Sequence, residues 1–220
     1  MNIIIFGPPG AGKGTQSKFI VKKFNLFQLS TGDLLRSEIK NETALGKKIN
    51  EIVKSGSLVS DDIVSELIKN TVSKNSYSNR IIFDGYPRNL KQVENLKNIL
   101  KKFNQKIDLV IKLVVSLDSI KKRIGGRVTC SKCGKIYNTY FEPIPNKNCC
   151  VNNNMFKRAD DNTETAVKRY NTYVAETEPV LEYYKNLKLL KEVNGEMPIT
   201  QIYDKITTII EGIEGWLYHI

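Results

Sequence analysis

A glycine-rich segment near the start of the chain carries the clearest chemistry. Residues 7–15 read Gly-Pro-Pro-Gly-Ala-Gly-Lys-Gly-Thr, and a loop of this kind turns successive backbone N–H groups toward an anion. Lys13 can reach the β- and γ-phosphates of a nucleotide. The usual phosphate-binding loop has Ser or Thr directly after its lysine, whereas here Gly14 intervenes and the hydroxyl is on Thr15. The segment predicts phosphate binding, and the competing interpretation is a glycine-rich turn with a chance lysine.

The residues on either side of this loop predict a strand before it and a helix after it. The run 3–6 is β-branched or aromatic and stops at Gly7, which is typical of a buried parallel strand. From Gly12 onward the pattern is helical, with Ile20 and Phe24 four residues apart. Because a helix N-terminus adds positive potential to an anion site, this order of elements favours phosphate binding over a chance turn.

Arginine is scarce in a chain that is rich in lysine. The net charge is +11, and most of the lysines fall on apparent helix faces, which is typical of a solvated surface. Seven of the 34 basic residues are arginine: Arg36, Arg80, Arg88, Arg123, Arg127, Arg158 and Arg169. An arginine in such a chain indicates a task that lysine cannot perform, commonly a planar, bidentate contact with phosphate. The charge therefore favours a small polyanionic substrate, with nucleic acid as the second interpretation.

Length and composition limit the class of protein. A chain of 220 residues, 40% hydrophobic and 26% charged, is consistent with one globular domain that carries insertions. No apolar run is long enough to cross a membrane, and no basic segment precedes a long apolar stretch, so we expect a cytoplasmic protein with no membrane partner. The single histidine, His219, is the penultimate residue, which argues against Ser–His, Cys–His and HExxH chemistry.

Strands and helices alternate along the rest of the chain. Further strands are predicted over 27–29, 80–83, 108–115 and 189–193. Helices are predicted over 31–40, 43–54, 61–73, 90–103, 119–124, 163–186 and 198–210. Pro179 should kink or divide the helix over 163–186. This alternation predicts an α/β fold in which helices cover both faces of a parallel sheet and ligands bind at the carboxyl ends of the strands.

Four motifs together resemble those of the adenylate kinase family. They are the glycine-rich loop at 7–15, STGDLLR at 30–36, DGYPR at 84–88 and RADD at 158–161. The resemblance covers nearly the whole chain and implies a P-loop NTPase-type parallel sheet with two insertions. One would be a helical AMP-binding insertion over 30–59, and the other a small, β-rich lid of the long bacterial type over 126–161. The core domain would then comprise 1–29, 60–125 and 162–220.

The resemblance also implies an activity and a set of ligands. The reaction would be the reversible transfer of the γ-phosphoryl group of ATP-Mg to AMP, which gives two ADP. Partners would therefore be ATP, AMP and ADP, with Mg²⁺ as cofactor, no nucleic acid, and a monomeric protein. The implied ATP-binding residues are Gly10, Ala11, Gly12, Lys13, Gly14, Thr15, Arg123, Arg127, Ile136 and Tyr137. The implied AMP-binding residues are Thr31, Arg36, Ser57, Leu58, Val59, Gly85, Arg88, Gln92, Arg158 and Arg169.

The family positions match six of the seven arginines, and only Arg80 is left over. The implied catalytic residues are Lys13, Arg88, Arg127, Arg158 and Arg169. Phosphoryl transfer requires aligned nucleotides and cations around the transferring oxygens more than covalent chemistry. Asp84 would orient Mg²⁺ or its waters, although a turn-forming role before Gly85 is the alternative.

Selection of the adenine base depends on fewer residues. The resemblance implies that Thr31 and Gln92 lie beside the adenine of AMP, and a glutamine amide can offer the base both a donor and an acceptor. A glutamine on an amphipathic helix is otherwise commonly a surface residue. The family usually has a lysine where this chain has Ser57, and contacts made by the backbone there would survive the change.

All four cysteines fall within the segment that resembles the lid. Cys130 and Cys133 precede a glycine and are typical of half of a zinc knuckle. Cys149 and Cys150 form the other half, where zinc-bearing family members have Cys-x-x-Cys or Cys-x-x-Asp, and adjacent cysteines are an awkward chelate. A structural zinc ion is predicted, with the second half of the site left open and with free thiols or a disulfide as alternatives. Four protein ligands would leave the metal no open position for catalysis.

Other features of this segment lead to smaller predictions. Gly125 and the following glycine are expected to form a flexible hinge. Asp160 and Asp161 could cap the next helix, pair with lid arginines, or do both. Without a metal, the lid would depend on apolar contacts such as those of Tyr137, Tyr140 and Phe141.

Three other functions fit parts of the sequence. Another nucleoside monophosphate kinase, acting on UMP or CMP or using GTP, would share the loop and the arginines, but the long lid disfavours the UMP/CMP type. A regulatory P-loop switch would not need six dispersed phosphate-binding arginines. A zinc-ribbon nucleic-acid binder would explain the cysteines and the charge, yet it leaves the loop at 7–15 and the motif at 84–88 unexplained.

Overall fold

A computed structural model provides the structure of the chain. It describes residues 1–55, 57, 59–73, 79–141, 144–145 and 147–217, with the backbone alone for 214–217.

Eight strands and nine α-helices are defined within this described part. The strands are β1 (Ile3–Phe6), β2 (Phe27–Ser30), β3 (Ile81–Asp84), β4 (Leu109–Val114), β5 (Arg127–Cys130), β6 (Ile136–Asn138), β7 (Met155–Phe156) and β8 (Leu190–Asn194). The α-helices are α1 (Lys13–Phe24), α2 (Thr31–Lys40), α3 (Ala44–Lys54), α4 (Asp61–Ser73), α5 (Leu90–Lys102), α6 (Leu117–Gly125), α7 (Thr163–Thr172), α8 (Glu178–Asn186) and α9 (Ile199–Leu217).

Five strands form one parallel sheet in the order β2-β3-β1-β4-β8. Successive residues of β1 point to opposite faces, as the period of a strand requires. Ile4 and Phe6 join the apolar cluster that includes Leu96 of α5, whereas Ile3 and Ile5 join the cluster that includes Ile20 of α1. Burial on both faces explains why the strand is a continuous apolar run. The predicted α/β fold with a helix-covered parallel sheet is confirmed.

The predicted helix over 163–186 is divided, as Pro179 suggested. The segment forms α7, then a π-helical turn over Tyr173–Thr177, then α8. A proline cannot donate to the carbonyl four residues earlier and its ring crowds that carbonyl, so the turn before Pro179 widens. The last helix is also longer than the prediction over 198–210, because α9 continues to Leu217.

Two smaller structures project from the sheet. Helices α2 and α3 pack so closely that a Cβ on Gly46 would lie 2.1 Å from the carbonyl oxygen of Glu38. Strands β6, β5 and β7 form a separate antiparallel sheet. Its small buried core consists of Val128, Cys130, Tyr137 and Cys150. Among the described residues, no helix combines the length and apolar character needed to span a bilayer.

Candidate active site

The glycine-rich loop lies at the carboxyl end of the central strand β1 and leads directly into α1. Gly10 and Gly12 have φ angles of +83° and +96°, a region that side chains disfavour. A Cβ on Gly10 would also lie 3.0 Å from Cγ1 of Ile124. The turn therefore requires glycine, and it aims the N-terminus of α1 at the cleft, where the helix favours an anion.

Lys13 folds back into the loop, where its Nζ donates to the carbonyl oxygens of Gly7 at 2.7 Å and Pro8 at 3.1 Å. Burial lowers the pKa of Lys13 to about 8, although the nearby carboxylate of Asp84 opposes that shift. The same pair shows the reverse effect on the acid: burial raises the pKa of Asp84, and the charge of Lys13 opposes the rise. Gln28 Nε2 donates to Oδ2 of Asp84 at 3.2 Å. Asp84 thus presents a carboxylate beside the loop, where oxygen ligands suit Mg²⁺.

Arg88 follows β3 and is held by both its backbone and its side chain. Its Nε donates to the carbonyl oxygen of Gly85 at 2.8 Å, and its backbone N–H donates to Oε1 of Gln92 at 2.7 Å. Gln92 Nε2 in turn donates to Oδ1 of Asp61 at 2.6 Å. The guanidinium is therefore fixed at the edge of the cleft, and the amide that was predicted to meet adenine also supports Arg88.

Five arginines lie close enough to one another or to Lys13 for their charges to interact, namely Arg36, Arg88, Arg127, Arg158 and Arg169. Burial lowers the pKa of Arg88 to about 10, and the charges of Arg169 and Arg36 lower it further. Burial likewise lowers the pKa of Arg158 to about 10, with added repulsion from Arg36 and Arg127. Buried like charges this close are unfavourable without a counter-charge, so the cleft is suited to a polyanion.

Two carboxylates hold the arginines on the lid side. Arg127 Nε donates to Oδ2 of Asp161 at 2.8 Å, and the side chain of Asp161 is fully buried. Arg169 also forms an ion pair with Asp160, through NH1 and Oδ2. The cap of α7 is instead Asn162, whose Oδ1 accepts from the N–H of Thr165 at 2.8 Å. Of the two roles open from sequence, the aspartates therefore pair with arginines and the neighbouring asparagine caps the helix.

The remaining residues of the predicted ATP site lie near the loop and in the small sheet. Arg123 donates from NH1 to the carbonyl oxygen of Ala11 at 3.2 Å and from NH2 to that of Gly195 at 2.8 Å. Ile136 and Tyr137 lie on β6, and the Tyr137 side chain packs in the core of the small sheet. The structure thus brings Arg123 to the loop, whereas Tyr137 points its ring into the lid core.

The predicted AMP residues differ in their burial and in the contacts that they make. Thr31 is buried, and its Oγ1 donates to the carbonyl oxygen of Gly85 at 2.9 Å. Arg36 pairs with Asp33 at 2.5 Å. Of the three residues predicted around position 57, Val59 is buried and Ser57 is exposed. Leu58 lies outside the described residues.

Arg80, the arginine left unmatched by sequence, lies away from the cleft. Its Nε donates to the carbonyl oxygen of Asn25 at 3.0 Å, and its NH2 donates to that of Phe24. Cations and donors are favourable at a helix C-terminus, and α1 ends at Phe24. Arg80 therefore caps a helix, which makes it a natural internal control for the cleft arginines.

The four cysteines form one cluster in the small sheet. Their Sγ atoms all lie within 4.8 Å of one another, and those of Cys133 and Cys150 are 3.5 Å apart. Sulfurs around a tetrahedral zinc ion are about 3.8 Å apart, given Zn–S bonds of about 2.3 Å. The N–H of Cys150 donates to the carbonyl oxygen of Lys147 at 3.0 Å, and this turn lets adjacent Cys149 and Cys150 point the same way. The donor set fits zinc, and all four thiols are free.

Other sequence expectations about the lid met mixed outcomes. Tyr140 and Phe141 are 66% and 61% exposed, so the prediction that they support the lid core was wrong and only Tyr137 does so. Gly126 has an ordinary negative φ. A Cβ there would lie 2.3 Å from Oδ1 of Asn138, so close packing alone requires this glycine, and the hinge stays a prediction.

Sequence reasoning missed two contacts at the cleft. Thr177 Oγ1 donates to the carbonyl oxygen of Arg88 at 2.9 Å, and Lys168 Nζ donates to Oγ of Ser57 at 3.3 Å. Neither belongs to a recognisable motif. The only sequence signal was Pro179, which marked a disturbance in the helix without indicating that Thr177 would turn toward Arg88.

Comparison with known proteins identifies the family of the chain. The sequence model of the adenylate kinase family matches residues 5–189. An adenylate kinase of Pelagibacter ubique is 50% identical over 213 residues, which cover 96% of this chain and 100% of the relative. Adenylate kinases of Thermodesulfovibrio yellowstonii and Archaeoglobus fulgidus are each 40% identical, over 96% and 98% of this chain and 99% and 100% of the relatives. The chain therefore belongs to the adenylate kinase family, whose members are phosphotransferases that move a phosphoryl group from ATP to AMP.

Proposed function

We propose that the cleft between the loop and the lid-side arginines holds ATP-Mg and AMP end to end, with the transferring phosphoryl group at the centre of the cation cluster. The observation that carries this proposal is that Lys13, Arg88 and Arg169 line one cavity from three separate elements, where burial lowers the pKa of Lys13 and Arg88 and neighbouring positive charges lower it further. Such a site gains most when three or more phosphate charges bind together, because each buried cation then acquires a counter-charge.

The donor nucleotide occupies the loop side of the cleft. Backbone N–H groups of residues 10–15 and the ammonium of Lys13 bind the β- and γ-phosphates. To do so, Lys13 exchanges its bonds to two loop carbonyls for phosphate oxygens. Arg123 and Arg127 flank the nucleotide, and the backbone around Ile136 and Tyr137 meets the ATP from the lid.

AMP occupies the opposite side. Arg36 and Arg88 bind its phosphate, and the adenine lies near Thr31 and Gln92, with backbone from positions 57–59 and Gly85. The Gln92 amide has one acceptor lone pair and one N–H beyond those already used. It can therefore bind the adenine edge while still holding Arg88.

Transfer itself requires charge stabilisation and the exclusion of water. Arg158 and Arg169 neutralise the charge that develops on the equatorial oxygens in the transition state. Mg²⁺ accompanies ATP, and Asp84 orients the ion or its waters. The lid over 126–161 closes on the nucleotides, so that water does not compete with AMP for the phosphoryl group.

The cysteine cluster of the lid holds a structural zinc ion. Cys130, Cys133, Cys149 and Cys150 provide four thiolates, which satisfy a tetrahedral ion and leave it no position for substrate. A zinc ion held by these cysteines would join two turns of a very small apolar core and would stiffen the lid.

The enzyme acts as a monomer on free nucleotides. One chain supplies both nucleotide sites and all the arginines invoked above, so the reaction needs no residue from a second copy. The positive charge is interpreted as a solvated surface together with this polyanion cleft, and nucleic acid is not part of the proposed function.

The proposal is tested by measuring ADP formation from ATP-Mg with AMP, UMP, CMP and GMP as acceptors, and again with GTP as donor. We expect strong preference for AMP, because the Gln92 amide and Thr31 are arranged for adenine. Gln92→Glu is the matched variant, since it keeps the shape of the side chain but removes its N–H donors. Equal turnover of UMP or CMP by the unaltered enzyme would contradict the assignment of the adenine site.

A further inference from the structure

The π-helical turn between α7 and α8 lies on the wall of the cleft. The N–H of Glu178 donates to the carbonyl oxygen of Tyr173, five residues back, which is the bond that defines such a turn. Thr172, Tyr173 and Thr177 all face the cleft together with Arg88 and Arg169. Single π-turns inside α-helices are frequent at functional sites, and this one reorients side chains that face the cleft.

The turn brings Thr177 onto the same side of the helix as Arg169. In a regular α-helix of about 100° per residue, the eight steps from Arg169 to Thr177 would leave their side chains about 80° out of phase. The residue inserted by the π-turn makes those steps equivalent to about seven, or about 700°, which falls within about 20° of two full turns. Thr177 consequently faces Arg88, and its hydroxyl is buried at the point of contact.

The contact completes the fixation of the Arg88 backbone. Gln92 accepts from the N–H of Arg88, and Thr177 donates to its carbonyl oxygen at 2.9 Å. The two peptide groups on either side of the Arg88 Cα are thereby held by side chains from α5 and from the π-turn. Since those two groups set the direction of the Cα–Cβ bond, they fix where the Arg88 side chain begins, and the Nε bond to the carbonyl oxygen of Gly85 holds its guanidinium end.

We propose that Thr177 is a positioning residue for Arg88, and that the π-turn serves to place it. The inference rests on the proposed role of Arg88 in binding the acceptor phosphate. Thr177 itself touches no reacting atom. Its hydroxyl acts through the Arg88 carbonyl, so its removal should loosen the grip on AMP while leaving the ATP side of the cleft unchanged.

The test compares Thr177→Val, which keeps the shape but removes the hydroxyl, with Thr177→Ser, which keeps the hydroxyl. We expect Thr177→Val to lower kcat/KM for AMP about tenfold, as the loss of one hydrogen bond and a small misplacement predict. KM for ATP should stay within about twofold, and Thr177→Ser should restore activity to within about threefold of the unaltered enzyme. Thr177→Cys, with a weaker donor, should fall between them and provides a second reading if the valine variant folds poorly.

Thr207→Val is the matched control, because Thr207 is buried in α9 and its hydroxyl has no partner among the described residues. It should leave all kinetic constants unchanged. A Thr177→Val enzyme that melts at a lower temperature but keeps its kinetic constants would show a merely structural role and overturn the inference, as would equal losses with Ser and Val. Arg88→Lys, measured in parallel, distinguishes failure of the role proposed for Thr177 from failure of the role proposed for Arg88. If Arg88→Lys is also fully active, the role proposed for Arg88 fails as well.

Discussion

The nucleotide cleft and the cysteine cluster are both sites built for charge, but they obtain their rigidity in different ways. The cleft lies at the end of a parallel sheet with large apolar clusters on both faces. The packed sheet and its helices therefore hold the cleft residues in place before any ligand binds. Among the described residues of the lid, the small sheet has only Val128, Cys130, Tyr137 and Cys150 as buried core. A structure of that size usually needs a metal or crosslinks to be stable.

The difference teaches where each region can tolerate unfavourable interactions. The main sheet can hold Arg88, whose pKa is lowered by burial and further by the charges of Arg169 and Arg36, because its apolar core provides the stability that this repulsion removes. The lid has no such reserve, so we expect its charged ligands, the thiolates, to be neutralised permanently by zinc. Substitutions in the cleft should therefore affect catalysis, and changes at the cysteines should affect stability.

Arginine substitutions should produce the largest effect on kcat, and they should distinguish an arginine of the cleft from the arginine that caps α1. Arg88→Lys keeps the charge but loses the planar fork, and we expect kcat to fall about a hundredfold or more, an effect comparable to or below the range for arginine fingers. Arg80→Lys removes a cap from α1 and should leave kcat nearly unchanged. The test is the kcat of both variants in steady-state kinetics. Equal losses of kcat would contradict a specific role of the cleft arginines in phosphate binding.

The pKa of Lys13 should produce a smaller, pH-dependent effect. With a pKa of about 8 in the folded protein, Lys13 is largely neutral at pH 9, whereas bound phosphate favours its charged form. Binding of ATP-Mg should therefore take up a proton and weaken up to about fivefold from pH 8 to pH 9, because the protonated fraction of Lys13 falls from about one half to about one tenth. Because the unfolded chain keeps Lys13 protonated to a higher pH, this group's contribution to the free energy of unfolding should rise with pH over the same range.

Calorimetry in buffers of different ionisation enthalpy measures both the affinity and the proton uptake. Lys13→Arg is the control, since arginine stays charged at pH 9 and should abolish the pH dependence that Lys13 causes. The same slope in both proteins would assign the titration to another group.

The parts of the molecule that could be predicted from the sequence are those whose structure depends on neighbouring residues in the chain. The run before Gly7, the glycines of the loop and the motif at 84–88 all have a local physical meaning, and they predicted the sheet and the loop. The partners of the arginines were harder. Asp160 and Asp161 precede a helix, so capping and ion pairing looked equally possible until the structure placed Arg127 and Arg169 opposite them.

Two features could not be predicted because they depend on contacts between distant segments. Pro179 signals a break in a helix, but the form of the break and the contact from Thr177 to Arg88 depend on how α8 packs against the sheet. The geometry of Cys149 and Cys150 likewise depends on a turn that their adjacency does not reveal. Aromatic residues also misled, since Tyr140 and Phe141 are exposed.

The contrast between cleft and lid is tested most directly by the kcat of enzyme from which zinc has been removed. The protein is treated with a chelator, dialysed, and resupplied with Mg²⁺, and ADP formation is measured at 20 °C beside a thermal melt. We expect Tm to fall by about 2 to 8 °C, as the loss of one to two kcal/mol would produce in a chain of this size, while most of the kcat at 20 °C remains. The double variant Cys130→Ser/Cys133→Ser should show the lower Tm from the start and no response to the chelator. A folded, zinc-free enzyme that has lost its kcat would contradict the account, as would a protein that contains no zinc and melts unchanged.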